Sequence, residues 1–108
     1  MPTFDFQYDL NRVSSEVATL NVSGDLTIEN SALLRDKFIY TGLKFSKLTI
    51  VVNQVRNIDL SFIQLLIGYI QHRTKAEKST LVEFDLDTPI LELLEITGSI
   101  ETIYTLQS

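Results

Sequence analysis

The chain has 108 residues with 44% hydrophobic and 21% charged side chains, an ordinary globular composition rather than that of a disordered chain, with room for one core. Nine Lys and Arg against fourteen Asp and Glu give a net charge of −5, which argues against a nucleic-acid partner, since phosphate binding needs clustered cations. Cysteine is absent, so disulfides and thiolate metal sites are excluded.

From the N-terminus, Phe4, Phe6, Tyr8 and Leu10 alternate with Asp5, Gln7 and Asp9, the period-2 pattern of a half-buried strand. Residues 11–15 read as a polar bend, and 17–22 as the returning strand of a hairpin. Gly24 and Asp25 break that pattern. Thr27 or Asn30 then caps a helix that carries Leu33, Leu34 and Phe38 at helical spacing, with Gly42 as its stop.

The continuous apolar run 48–52 predicts a central strand, followed by a short polar bend. Asp59 and Ser61 stand at the mouth of the next helix, over 60–75, where unpaired N–H groups favour negative charge. Ile63, Leu66, Ile67 and Ile70 form its inner stripe, widened by Phe62, Leu65 and Tyr69. Gln64, Gly68, Gln71 and Lys75 form its outer face, and Leu60 falls on that face too. The cations His72, Arg73, Lys75 and Lys78 read as solvated helix and strand ends, like Lys44 and Lys47.

A strand over 81–86 alternates Val82, Phe84 and Leu86 against Glu83 and Asp85. Thr88 and Pro89 start a last helix with Ile90, Leu93 and Leu94 inside, Glu92 and Glu95 outside, and Gly98 at its end. Residues 100–106 predict a short terminal strand or a packed tail. The order β-β-α-β-α-β-α makes an α/β fold, with a single mixed sheet opened by an antiparallel hairpin and packed against about three helices. In the core we expect Val51, Val82 and Phe84, packed against Leu34, Phe38, Ile63, Leu66, Ile70, Leu93 and Leu94.

Catalytic chemistry has few candidates. The one histidine, His72, lies in the late turns of a helix, and no phosphate-binding, dinucleotide-binding or nucleophile-elbow motif is present. The loop acids Asp25, Asp59 and Asp87 offer a weak metal reading, against which solvation and capping are the ordinary explanations. No cofactor, metal or catalytic residue is expected. No basic-then-apolar leader and no bilayer-length apolar run occur, so we expect a cytoplasmic chain with no direct membrane insertion.

Three segments carry a family resemblance: Val22-Ser23-Gly24-Asp25-Leu26-Thr27, residues 51–70, and Thr88-Pro89-Ile90-Leu91-Glu92-Leu93-Leu94-Glu95-Ile96-Thr97-Gly98. Together they resemble the STAS family, the sulfate transporter and anti-sigma factor antagonist domains, over about residues 17–102 of what we read as one domain, 1–108. The resemblance implies a non-enzymatic protein-binding switch. Its partner would be an anti-sigma factor or serine kinase-like protein, and phosphorylation at the start of the second helix would turn binding off. It also implies two alternatives: an accessory subunit of a transport ATPase or membrane complex, and a small-ligand or nucleotide-binding domain using the Asp25 and Asp59 loops.

The chain departs from that pattern in three places. Leu60 stands at the usual phospho-acceptor position, Phe62 replaces a small residue, and Val51 stands where many relatives carry an acid. Ser61 is therefore the possible phospho-acceptor, with a capping or first-turn hydroxyl as its structural alternative. The expected partner surface comprises Gly24, Asp25 and Leu26 of one turn, and Asn57, Asp59, Leu60, Ser61 and Gln64 at the helix mouth. Both turns follow strands and should open at the same end of the sheet.

Overall fold

A computed structural model describes residues 4–10, 17–41, 44–96, 98 and 101–103. Four strands, β1 (Phe4–Leu10), β2 (Val17–Leu26), β3 (Lys47–Ile58) and β4 (Ser79–Asp85), form one sheet in the order β1-β2-β3-β4. The β1–β2 pair is antiparallel, and the β2–β3 and β3–β4 pairs are parallel. The connections carry a 3-10 turn (Ile28–Asn30), α1 (Ser31–Thr41) and α2 (Leu60–Lys75), and α3 (Thr88–Ile96) follows β4. This is the mixed sheet expected from the alternation of patterns.

The core lies on one face of the sheet. Ala18, Leu20 and Val22 of β2, Leu48, Ile50 and Val52 of β3 and Val82 of β4 are all buried, every second residue along each strand. Helix α1 adds Leu34 and Phe38, and α2 adds Phe62, Ile63, Leu66, Tyr69 and Ile70. Phe38 joins the layers, with its ring centroid 5.2 Å from Phe6 in an edge-on contact and 4.6 Å from Tyr69. Deleting one such buried side chain costs about 2–5 kcal/mol, so this layer holds much of the stability.

Several expectations are corrected. Val51 is half-buried, because it points away from the helices in a row with Asn21 and Glu83; its neighbours Ile50 and Val52 are buried instead. Val82 is buried, and Phe84 is half-buried against the core. Leu33 is exposed, since the adjacent Leu34 takes the inward position about 100° round the helix. Arg73 is no solvated helix end: it is fully buried, donating from Nε to Thr80 Oγ1 at 2.7 Å and from Nη2 to the Ser79 carbonyl at 2.8 Å. Burial pulls its pKa down from the usual arginine value, while its hydrogen bond and charge interaction with Tyr69 push the other way.

The tail turns rather than extends. Residues 101–103 are helical, Thr102 N–H donates to the Gly98 carbonyl at 3.1 Å, and Ile103 is buried in the core. Gly98 makes the bend with φ of +73°, a conformation that glycine adopts without steric penalty. The expected bend at 11–15, the stop at Gly42, tail residues 100 and 104–106, and the side chains of Leu93 and Leu94 lie outside the described residues.

Candidate functional site at the sheet end

The site begins with the strands that lead into it. Both run further than their apolar cores suggest: β2 continues to Leu26 and β3 to Ile58, through the polar residues read as bends. Their register slips on the way. Val22 pairs with Val52, Gly24 with Val55, and Asp25 with Asn57, so β3 gains two residues on β2. Gly24 at φ +92° and Gln54 at φ +49° absorb the slip in left-handed conformations. Gly24 does so freely. Gln54 carries strain of about 1–2 kcal/mol, which the flanking ladder holds in place. Bulges of this kind twist a strand end and re-aim its side chains.

The re-aimed residues interlock. Asn57 Nδ2 donates to Asp25 Oδ1 at 2.7 Å, and Asn30 Nδ2 donates to the Asp25 carbonyl at 2.8 Å. Arg56 Nε lies 3.7 Å from Asp25 Oδ1, but Arg56 is exposed, and such pairs contribute about 0–1 kcal/mol. The Asp59 N–H reaches the Leu26 carbonyl at 3.2 Å. The ends of β2 and β3 and the turns that follow them are thereby tied together.

Asp59 is the central clamp. As the N-cap of α2, its Oδ1 accepts the N–H of Ser61 at 3.0 Å and, more weakly, that of Phe62 at 3.4 Å. The Ser61 hydroxyl donates to the same oxygen. Its Oδ2 accepts the N–H of Ile28, 31 residues away, at 2.9 Å. Partial burial pushes the Asp59 pKa up, but the Ser61 hydroxyl and the three backbone donors outweigh it, so the carboxyl stays below the usual 3.8. Two of the helix-start donors that could greet a bound anion, the Ser61 and Phe62 N–H groups, are already engaged by this carboxylate.

The clamp presents two apolar side chains. Leu60, next to Asp59, is 53% exposed, and Ile28, held through its amide, is 68% exposed. Phe62 turns inward and is fully buried. Ser61 is a first-turn hydroxyl spent on Asp59, and Gln64 is exposed one turn beyond Leu60. The structure thus brings Gly24, Asp25, Asn57, Asp59, Leu60 and Ser61 to one end of the sheet, with Gln64 on the adjoining helix face; Leu26, expected on the partner surface, is instead fully buried in the core beneath them.

Sequence reasoning missed Ile28 and Arg56 and read Asn30 only as a possible cap. Their contacts run to partners far along the chain or to a backbone carbonyl, for which no local pattern exists. Thr27, expected as a cap, makes no side-chain capping bond, and Asn30 serves the Asp25 carbonyl instead. Asp25 is committed to Asn57 and Asp59 to backbone donors. Among the described residues, no group of three His, Cys, Asp or Glu is placed to hold a metal ion.

No family model matches the chain, and no curated protein matches it. Solved structures do. The anti-sigma factor antagonist SpoIIAA in its unphosphorylated form superposes with a TM-score of 0.68 at 13% identity, over 88% of this chain and 82% of that one. The Bacillus cell fate determinant SpoIIAA in the phosphorylated form gives 0.59 at 16% identity, over 88% and 85%. The NMR structure of the protein TM1081 gives 0.63 at 19% identity, over 91% and 77%. At these identities the shared property is the fold, and it is the STAS fold that the three sequence segments implied.

Proposed function

We propose that this chain is a non-enzymatic, protein-binding regulatory module of the anti-sigma factor antagonist kind, acting in the cytoplasm and binding its partner constitutively. The observation that carries the reading is the exposed Leu60–Ile28 pair, fixed over the Asp59 clamp at the sheet end. Exposed apolar side chains on a backbone already held in place, with polar groups around them, suit a protein interface, because little backbone freedom is lost on docking. Asp25, Asn57 and Gln64 supply a polar rim.

The same geometry supports a module without a phosphorylation switch. SpoIIAA has been solved in phosphorylated and unphosphorylated forms, and the STAS resemblance puts the usual acceptor at Leu60, which has no hydroxyl. Ser61 is a poor substitute. A phosphoryl group there would remove the hydroxyl proton now given to Asp59 and set roughly −1.5 to −2 charge beside that carboxylate. The helix N-terminus returns only about 0.3–1 kcal/mol for added negative charge, and Asp59 already uses its donors.

Affinity capture from the chain's own cells tests the reading. Leu60→Asp should lose the protein partner that the unaltered chain recovers, while its melting temperature stays the same. Recovery of the same partner by this variant would remove the helix mouth from the interface.

A further inference from the structure

Helix α1 carries apolar residues beyond those it buries. Leu34 and Phe38 face the core, yet Ile39 is 64% exposed on the side toward α2. There it borders a groove of about 460 Å³ between the two helices, floored by Phe38 and Tyr69 and flanked by Leu65. Gln64 and Gly68 also line it and lie on the α2 face that Leu60 begins, so the groove extends the face that starts at the clamp.

Gly68 lies on the α2 wall of this groove. Glycine inside a helix lowers stability relative to alanine, and is kept where backbone conformation or close packing demands it. Neither demand exists among the described residues. Gly68 has ordinary helical geometry, and a Cβ built on it meets nothing within 4 Å. The bare backbone strip is therefore open to a body outside the chain. Among the described residues that line the groove, Arg35 is the charged side chain, with His72 and Tyr69 beside it and no carboxylate, in a chain whose net charge is −5. That field favours an acidic occupant and opposes a second copy of the same chain.

We propose that the α1–α2 groove seats an amphipathic helix of a protein partner. The helix lays its apolar face over Ile39 and Leu65, brings its backbone close to Gly68, and points a carboxylate at Arg35. Such a helix-in-groove contact reads as apolar anchors at helical spacing with charge at one edge. The inference rests on the protein-binding role proposed above and adds the second half of the footprint. The clamp end supplies the fixed anchors Leu60 and Ile28, and the groove selects the partner by shape and charge.

Photo-crosslinking in the chain's own cells separates the two claims. p-Benzoylphenylalanine is placed in one variant at position 60, at the clamp, and in another at position 39, in the groove. Both should join the same protein, and the peptide joined at 39 should be an amphipathic helical segment bearing Asp or Glu. Adding Gly68→Leu, or Arg35→Glu, should cut the yield at 39 at least tenfold without lowering the melting temperature. Gly68→Ala should raise that temperature by a few degrees, because the glycine serves nothing inside the fold. Cross-linking at 60 but not at 39 would overturn the groove and leave the protein-binding role standing. A position-39 peptide from the chain itself, a basic peptide, or a yield indifferent to Gly68→Leu would also overturn the groove. Silence at both positions would overturn both readings.

Discussion

Replacing Asp59 with alanine removes one carboxylate that accepts backbone N–H groups from the first turn of α2 and from the distant 3-10 turn, and the Ser61 hydroxyl. Loss of the helix cap alone costs about 0.5–2 kcal/mol. The bond from Ile28 N–H to a charged acceptor is of the class valued at about 1.5–3 kcal/mol, but Ile28 is largely exposed and water can replace part of it. We therefore expect a total loss of about 2–3 kcal/mol. For a chain of this size that is a fall of roughly 10 °C in melting temperature. Two further variants divide the effect. Asp59→Asn keeps the cap and loses the charge, whereas Asp59→Ser keeps a cap but is too short to reach Ile28 as well. Denaturant melts followed by circular dichroism give the energies, and hydrogen exchange at the Ile28 amide reports the inter-loop bond. The carboxyl titrates below its ordinary value when folded, so its contribution is complete above about pH 3.8 and is lost as pH falls through the folded value. The gap between the unaltered chain and Asp59→Asn should close over that range. A loss under about 0.5 kcal/mol in Asp59→Ala, with Ile28 exchange unchanged, would refute the clamp.

Leu66→Ala opens a cavity at a fully buried site on α2 and should cost about 2–5 kcal/mol in a denaturant melt; no change would place that helix face in solvent. Arg73→Ala leaves the Thr80 hydroxyl and the Ser79 carbonyl without their buried donor, and we expect a loss of about 2–4 kcal/mol by thermal melt. Arg73→Lys should recover only part of this, because one ammonium cannot copy the planar fork. Gln54→Gly relieves a left-handed conformation and should leave stability unchanged or raise it by up to about 1 kcal/mol; a clear loss would show that the Gln54 side chain holds the bulge.

The element order and the inward stripe of α2 were legible because their periods are unambiguous. Ile63, Leu66 and Ile70 repeat at helical spacing, and all three are buried. The run 48–52 has no period, since every residue can be apolar in a covered strand, so nothing local separates Val51 from Val52. The pleat decides it, through pairing with β2 and β4. Residues 53–57 read as a bend because amides are uncommon in strands, yet pairing of Val55 with Gly24 and of Asn57 with Asp25 carries the strand on past the left-handed Gln54. Arg73 could have been found: it stands seven residues after Leu66 and three after Ile70, within the buried stripe. Charge suggested solvent, while position required a buried fork with polar acceptors on β4. At the site, Asp59 was readable as a cap from its place before the helix. Its hold on Ile28 was not, because a bond across 31 residues leaves no mark on either segment.

The central claim is that an unphosphorylated chain binds a second protein through the Leu60 end of the sheet. Native mass spectrometry of the chain, drawn gently from its own cells across several growth conditions, measures both parts at once. The account predicts a complex of the chain with a different protein, in which the chain has its unmodified mass. A chain carrying phosphate on Ser61, or one found alone in every condition, would contradict it.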